Sequence, residues 1–216
     1  MKIAILIFDK LTALDAIGPY EVLSRLPGAE LTFVAKETGM KRTDTGRLGL
    51  NADAAIADER SPDVLLIPGG EGNRPLIEDE DVLDWVRAVH EGTTWTTSVC
   101  TGSLLLGAAG VLAGKRATSH WAYRDSLADF GAVPTAERVV VDGKIVTAAG
   151  VSAGIDMALT LAARIAGDDV ARAIQLGIEY DPDPPFDAGS PEKAGPELTS
   201  LIRGLESGAD ETPTAG

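Results

Sequence analysis

The chain has a single cysteine, Cys100, and two histidines among 216 residues. A lone cysteine excludes an internal disulfide and fits a reducing cytoplasm. With so few soft ligands, none at a ligand-like spacing, a structural zinc site is not expected. Positive charge is also scarce: 19 Lys and Arg stand against 33 Asp and Glu, for a net charge of −14. That balance argues against nucleic acid and anionic membrane as partners. No apolar stretch approaches the ~18–20 residues that span a bilayer. The glycines at 69, 70 and 72 lack the Gly-Lys-Ser/Thr of a phosphate loop, and no Rossmann fingerprint occurs, so no nucleotide cofactor is expected. There is no internal repeat. The apolar run at residues 1–8 lacks a small-residue cleavage site, and it reads as a first strand rather than a signal peptide.

What is present is an alternation of buried strands and helices. Residues 2–8, Leu31 to Ala35, Asp63 to Ile67 and Thr94 to Val99 are the near-continuous apolar or β-branched runs of strands covered on both faces. Helices are predicted from Pro19 to Leu26, over 79–91, after Cys100 through Leu112, over 153–166 and over 168–178. Residues 14–19 read as a loop, with Pro19 in the first helical turn. Short strands or a hairpin fit 40–58, and Asp142-Gly143 is a two-residue hairpin signal between Arg138–Val141 and Lys144–Thr147. The pattern predicts an α/β sandwich around a mostly parallel sheet. Beyond Tyr180 the run Asp181-Pro182-Asp183-Pro184-Pro185 cannot form a helix or a central strand. Leu198, Leu201, Ile202 and Leu205 fit one short helix, with disorder expected from about Ser207.

The stretch Ser98-Val99-Cys100-Thr101-Gly102 lies where a buried strand feeds a helix. Such a turn exposes a nucleophile beside free backbone N–H groups, and a helix N-terminus favours the thiolate. Cys100 is therefore the candidate nucleophile, in a setting that can lower a thiol pKa. In an open α/β sheet, sites form beyond the carboxyl ends of the strands. Asp15 after the first strand and Gly69-Gly70 after the 63–67 strand reach the same edge. Asp15 is a candidate proton partner, or else a helix cap. Gly70 and Thr101 are candidate donors to developing negative charge, although Gly69-Gly70 also suits a tight turn. His120 follows a further short strand and either reaches the site or is a hydrogen-bonded structural residue. His90 reads as a solvated helix residue.

Four segments together resemble the ThiJ/PfpI family: Ser98 to Gly102, Pro68-Gly69-Gly70, Ala117-Thr118-Ser119-His120-Trp121, and Leu14 to Val22. The resemblance runs to about residue 191. Within the family, Thr118 to Tyr123, Gly154-Ile155-Asp156, Pro184-Pro185-Phe186 and Gly189-Ser190-Pro191 are similar to the isonitrile (isocyanide) hydratases. The resemblance implies a flavodoxin-like three-layer domain over 1–191, a polar tail over 192–216, and a cytoplasmic homodimer without metal or organic cofactor. It implies that Cys100 attacks the terminal carbon of an isocyanide and that Asp15 moves the protons. It further implies that Thr101 assists the sulfur and that the helix after Ser152 packs nearby. Gly69, Gly70 and His120 are the candidate substrate or oxyanion residues.

Departures from other branches bear on the activity. Protease-like and glyoxalase-like members often carry a histidine directly after the cysteine, where this chain has Thr101, and many use a glutamate where it has Asp15. A cofactor-free glyoxalase or deglycase acting on 2-oxoaldehydes is the alternative enzyme, and a non-catalytic redox-sensing stress protein the alternative class. The Cys100-Thr101-Gly102 motif also resembles the sensing domain of AraC-type regulators. The largely polar residues after Tyr180 are too few for their helix-turn-helix region.

Overall fold

The computed structural model describes residues 1–208. In chain order the elements are β1 (Lys2–Leu6), α1 (Ala13–Leu23), β2 (Glu30–Ala35), β3 (Gly39–Arg42), β4 (Gly49–Ala52), β5 (Ala54–Ala55), β6 (Val64–Ile67), α2 (Asn73–Leu76), α3 (Glu80–Gly92), β7 (Trp95–Val99) and α4 (Gly102–Ala108). There follow β8 (Arg116–Ala117), a 3-10 helix (Arg124–Phe130), β9 (Val133–Pro134), β10 (Val139–Asp142), β11 (Ile145–Ala148), α5 (Ala153–Ala166), α6 (Asp168–Gly177), α7 (Pro191–Ala194) and α8 (Pro196–Gly208). Residues 1–180 form one compact unit, and residues 181–208 belong to another, which carries α7 and α8. The expected short C-terminal helix is α8. Of the disorder expected from about Ser207, residues 207 and 208 belong instead to α8, and the rest falls outside the described residues.

The main sheet has seven strands in the order β10-β11-β7-β6-β1-β2-β5. Every neighbouring pair is parallel except the edge hairpin β10–β11, whose turn is the expected Asp142-Gly143. All four residues of β6 are buried, as are Ile3 to Leu6 of β1. Burial contributes about 1.5–3 kcal/mol per large apolar side chain, against a net ~0.5–1.5 kcal/mol per hydrogen bond, so the core rather than the short ladder fixes these strands. α3 starts where Asp79 accepts the Val82 N–H at 3.4 Å. Its buried stripe of Val82, Leu83, Trp85, Val86 and Val89 faces the core. The 40–58 region is the β3–β4 hairpin followed by β5.

Strand order reverses between β1 and β6: from β1 the chain crosses to β2 on one side and returns to β6 on the other. A crevice opens at such a switch point, beyond the carboxyl ends of the strands. α1 follows β1 at this edge, and Pro68-Gly69-Gly70 follows β6. Two local expectations are corrected there. Pro19 is not in the first turn of a helix but inside α1, which already begins at Ala13. An interior proline costs a helix about 3 kcal/mol and removes the donor to the carbonyl four residues back, here that of Asp15. Packing offsets this: a Cβ added at Gly154 of α5 would meet the Pro19 ring at 3.1 Å, and one at Gly18 would meet Ile155 at 3.0 Å. The helix after Cys100 is also shorter than predicted. It ends at Ala108, and Leu112 is buried from a turn.

Candidate active site

Cys100 follows directly on β7 and has φ +57°, the left-handed region. A non-glycine residue there carries roughly 1–2 kcal/mol of strain. The surroundings over-determine the conformation. The Cys100 N–H is shared between Ala148 O at 3.2 Å and Ala149 O at 3.0 Å. Its carbonyl accepts from Ser103 Oγ at 3.1 Å and from Ser119 Oγ at 3.0 Å. At about 0.5–1.5 kcal/mol each, these bonds outweigh the strain. Gly102 completes the turn by pressing on the end of β6, where a Cβ would stand 2.2 Å from Ile67 O.

Asp15 is fully buried in the first turn of α1. Its own N–H bonds to Thr12 O at 3.1 Å, and Thr12 is the N-cap, so Asp15 is not the helix cap. The Gly69 N–H donates to Asp15 Oδ2 at 2.9 Å, while Oδ1 has no hydrogen-bond partner among the described residues. Burial pushes the carboxyl up to about 7, against the opposing pull of the Gly69 N–H and of the Cys100 thiol beside it; the charge of Asp44 adds a smaller upward push. Burial also pushes the Cys100 thiol well above its usual value, and the neighbouring Asp15 charge pushes the same way. The Val151 and Thr101 N–H groups bond to the sulfur and pull back. The lowering that a strand-to-helix turn can give a thiol does not prevail here. Two N–H donors and a helix of seven residues do not offset desolvation.

Thr101 is tied on two sides. Its Oγ1 accepts from the Gly70 N–H at 3.0 Å, and its carbonyl accepts from Asn73 Nδ2 at 2.6 Å. The expectation that Gly70 offers a free N–H is therefore corrected: Gly69 holds Asp15, and Gly70 holds Thr101. The two turns pack too closely to leave either donor open. A Cβ at Gly69 would lie 2.5 Å from Thr101 Oγ1, and Gly70, at φ +123°, has Lys10 O and Thr12 N within 2.6 Å of its own Cβ position. His120 lies beside Gly150, where a Cβ would stand 2.6 Å from the ring, and its Nδ1 accepts from the Ala122 N–H at 3.4 Å. Its ring tilts against Trp121 and Tyr123.

His90 corrects another expectation. It is half-buried rather than solvated, with Nδ1 2.8 Å from Thr96 Oγ1 on β7. Asn73, Ser103 and Ser119 had no place in the sequence argument. Ser119 lay inside a quoted motif, but nothing marked its hydroxyl for the Cys100 carbonyl, and Asn73 reaches Thr101 from a separate element. Among the described residues, no three His, Cys, Asp or Glu side chains are grouped to hold a metal ion. Nor is any described helix long and apolar enough to cross a membrane.

The DJ-1/PfpI family profile matches residues 1–164. An isonitrile hydratase from Pseudomonas putida is 48% identical over 194 residues, covering 90% of this chain and 85% of that protein. A solved ThiJ/PfpI family protein from Pseudomonas syringae superposes with a TM-score of 0.92 at 40% identity, covering 95% of this chain and 86% of that one. An HTH-type transcriptional regulator, CdhR, from Pseudomonas aeruginosa is 32% identical over 170 residues, 76% of this chain but 49% of the regulator. Matched from β1 through both sides of the Cys100 turn and most of α5, the chain belongs to the DJ-1/PfpI family.

Proposed function

We propose that the protein hydrates isocyanides to N-substituted formamides, with Cys100 as nucleophile and Asp15 as proton shuttle. The observation that carries this reading is the buried pair itself: a thiol that is neutral at neutral pH beside a carboxyl raised to about 7. The similarity to an isonitrile hydratase across 90% of the chain supports the choice of substrate. The terminal carbon of R–N≡C must gain both a sulfur and a hydrogen. As the S–C bond forms, Asp15 takes the thiol proton and delivers it to that carbon, giving the thioimidate R–N=CH–S–Cys100. A carboxyl near the working pH can both accept and return a proton. Asp15 next takes a proton from water as the oxygen adds to carbon and passes it to the nitrogen. The adduct R–NH–CH(OH)–S–Cys100 collapses to R–NH–CHO as the C–S bond breaks, and the hydroxyl proton passes through Asp15 to the leaving sulfur, which restores the thiol. The N–H groups of Val151 and Thr101 stabilise sulfur as it leaves.

In this reading Gly69 and Gly70 act indirectly, by holding Asp15 and Thr101, and His120 borders the substrate next to Gly150. The catalytic unit is taken to span residues 1–191, working as a cytoplasmic homodimer; the family membership and the lone thiol support this part. The test is conversion of a simple alkyl or aryl isocyanide to its formamide by the purified protein beside Cys100→Ala. Turnover abolished by the substitution is expected. No turnover across several isocyanides, or faster lactate formation from methylglyoxal, overturns the reading.

A further inference from the structure

The turn between β11 and α5 carries a second strained residue. Val151 is β-branched and has φ +35°, a conformation that such residues avoid. The same turn is tied to Cys100, whose N–H donates to Ala149 O at 3.0 Å, and the Val151 N–H pulls on the Cys100 thiol. Such strain persists only when the surroundings hold it. Here one residue holds the segment from both ends. The Arg138 carbonyl, just before β10, accepts the Ala149 N–H at 2.9 Å. The Arg138 side chain crosses to the start of α5, where Nη2 donates to Ser152 Oγ at 3.2 Å and Nε to Asp156 Oδ2 at 2.7 Å. The Tyr180 hydroxyl donates to the same Asp156 oxygen at 3.2 Å. Gly150 and Val151 lie inside this bracket.

We propose that Arg138 is a positioning residue for the Cys100 nucleophile: by fastening Ala149 on one side and Ser152 and Asp156 on the other, it keeps the Val151 N–H on sulfur. Half-exposed surface ion pairs are worth little for stability, so the Arg138–Asp156 pair is poorly explained as a fold stabiliser. Its planar guanidinium bonds two partners at fixed spacing, which a lysine ammonium does so less rigidly. The inference deepens the proposed function and names a residue that serves the same sulfur.

The experiment measures alkylation of Cys100 by iodoacetamide against pH, with isocyanide kcat and KM in parallel. Alkylation needs no isocyanide chemistry, so it reads Arg138 even if the proposed substrate is wrong. In Arg138→Met the alkylation profile is expected to move up by about one pH unit, the scale of one hydrogen bond to a charged group. kcat falls with little change in KM. Arg138→Lys restores part of the shift. Arg116→Met, which breaks the surface pair of Arg116 with Glu137, leaves the profile in place. If Arg138→Met does not fold, Ser152→Ala removes the Nη2 partner alone and gives a smaller shift in the same direction. A folded Arg138→Met or Ser152→Ala with the parent profile overturns the proposal, as does an equal shift in Arg116→Met.

Discussion

Gly69 donates its backbone N–H to Asp15 Oδ2 at 2.9 Å, so the proposed proton partner of Cys100 is held from the neighbouring strand end rather than by its own helix. Gly69 has no room for a side chain. A Cβ would stand 2.5 Å from Thr101 Oγ1, 2.6 Å from Thr101 N and 3.0 Å from Asp15 Oδ2. Gly69→Ala must push the acid and the turn after the nucleophile apart. Overpacking of this kind costs about 1–3 kcal/mol, and displacement of reacting groups by an ångström can cost ~100-fold in rate. The expected result is a lower urea midpoint together with a loss of kcat much larger than the loss of folded protein. Parent-like kcat in folded Gly69→Ala counts against Asp15 as the shuttle.

Asp15 should also be visible in stability. Its folded carboxyl lies at about 7, against 3.8 for the unperturbed group. Between those values the folded chain keeps a proton that the unfolded chain has lost, so stability falls as pH rises through that window. Below it both states are protonated and the penalty is absent; above it the penalty is complete. The upper bound is roughly 4 kcal/mol, about three pH units at 1.36 kcal/mol each. Asp15→Asn removes the charge and keeps an oxygen for the Gly69 N–H. Its urea midpoint is expected to exceed the parent's at mildly alkaline pH, with the gap closing toward pH 4. Equal midpoints throughout would mean that the carboxyl is not desolvated. The same variant should lose turnover.

The frame around this pair was legible because its signals are local. The apolar runs of β1, β6 and β7, the Asp142-Gly143 hairpin and the helix over 153–166 depend on period and turn chemistry alone. Cys100 and Asp15 were legible as positions at the ends of strands. Their electrostatics were not: the thiol pKa turns on burial that a strand-to-helix reading does not reveal, and desolvation outweighs the lowering that such a turn can give. Pro19 misled because local propensity places proline at a helix start, whereas the packing of α1 on Gly154 keeps it inside. Asn73 and Arg138 bond across elements separated in sequence, and only the assembled fold brings Asn73 to Thr101 and Arg138 to the start of α5.

The pH dependence of turnover follows from the same carboxyl. If ionised Asp15 takes the thiol proton as sulfur attacks, kcat/KM rises with pH through an apparent value near 7. That value belongs to the coupled pair, because Asp15 and Cys100 interact directly. A pH series of kcat/KM with one isocyanide checks this. An acid limb near the ordinary carboxylate value would mean that a group other than buried Asp15 controls the step.

At the other end of the sheet, Lys144 supplies a prediction that separates stability from chemistry. It follows the Asp142-Gly143 turn, and its Nζ donates to the carbonyls of His90, Glu91 and Thr93 at the C-terminus of α3, the latter two at 3.2 Å. Its own carbonyl accepts the Thr96 N–H at 2.9 Å. A cation on the last carbonyls of a helix satisfies orphan acceptors and complements the dipole. Lys144→Met keeps the apolar stem and removes the three donors. It is expected to lower the free energy of unfolding by about 1–2 kcal/mol. The kcat of the folded protein should stay at the parent level, because Lys144 sits at the start of β11, whereas Cys100 lies beyond the far end of β7. Chemical denaturation and turnover on the same sample decide it. An unchanged midpoint would mean that the cap carries no energetic weight, and a selective fall in kcat would place Lys144 in communication with the site.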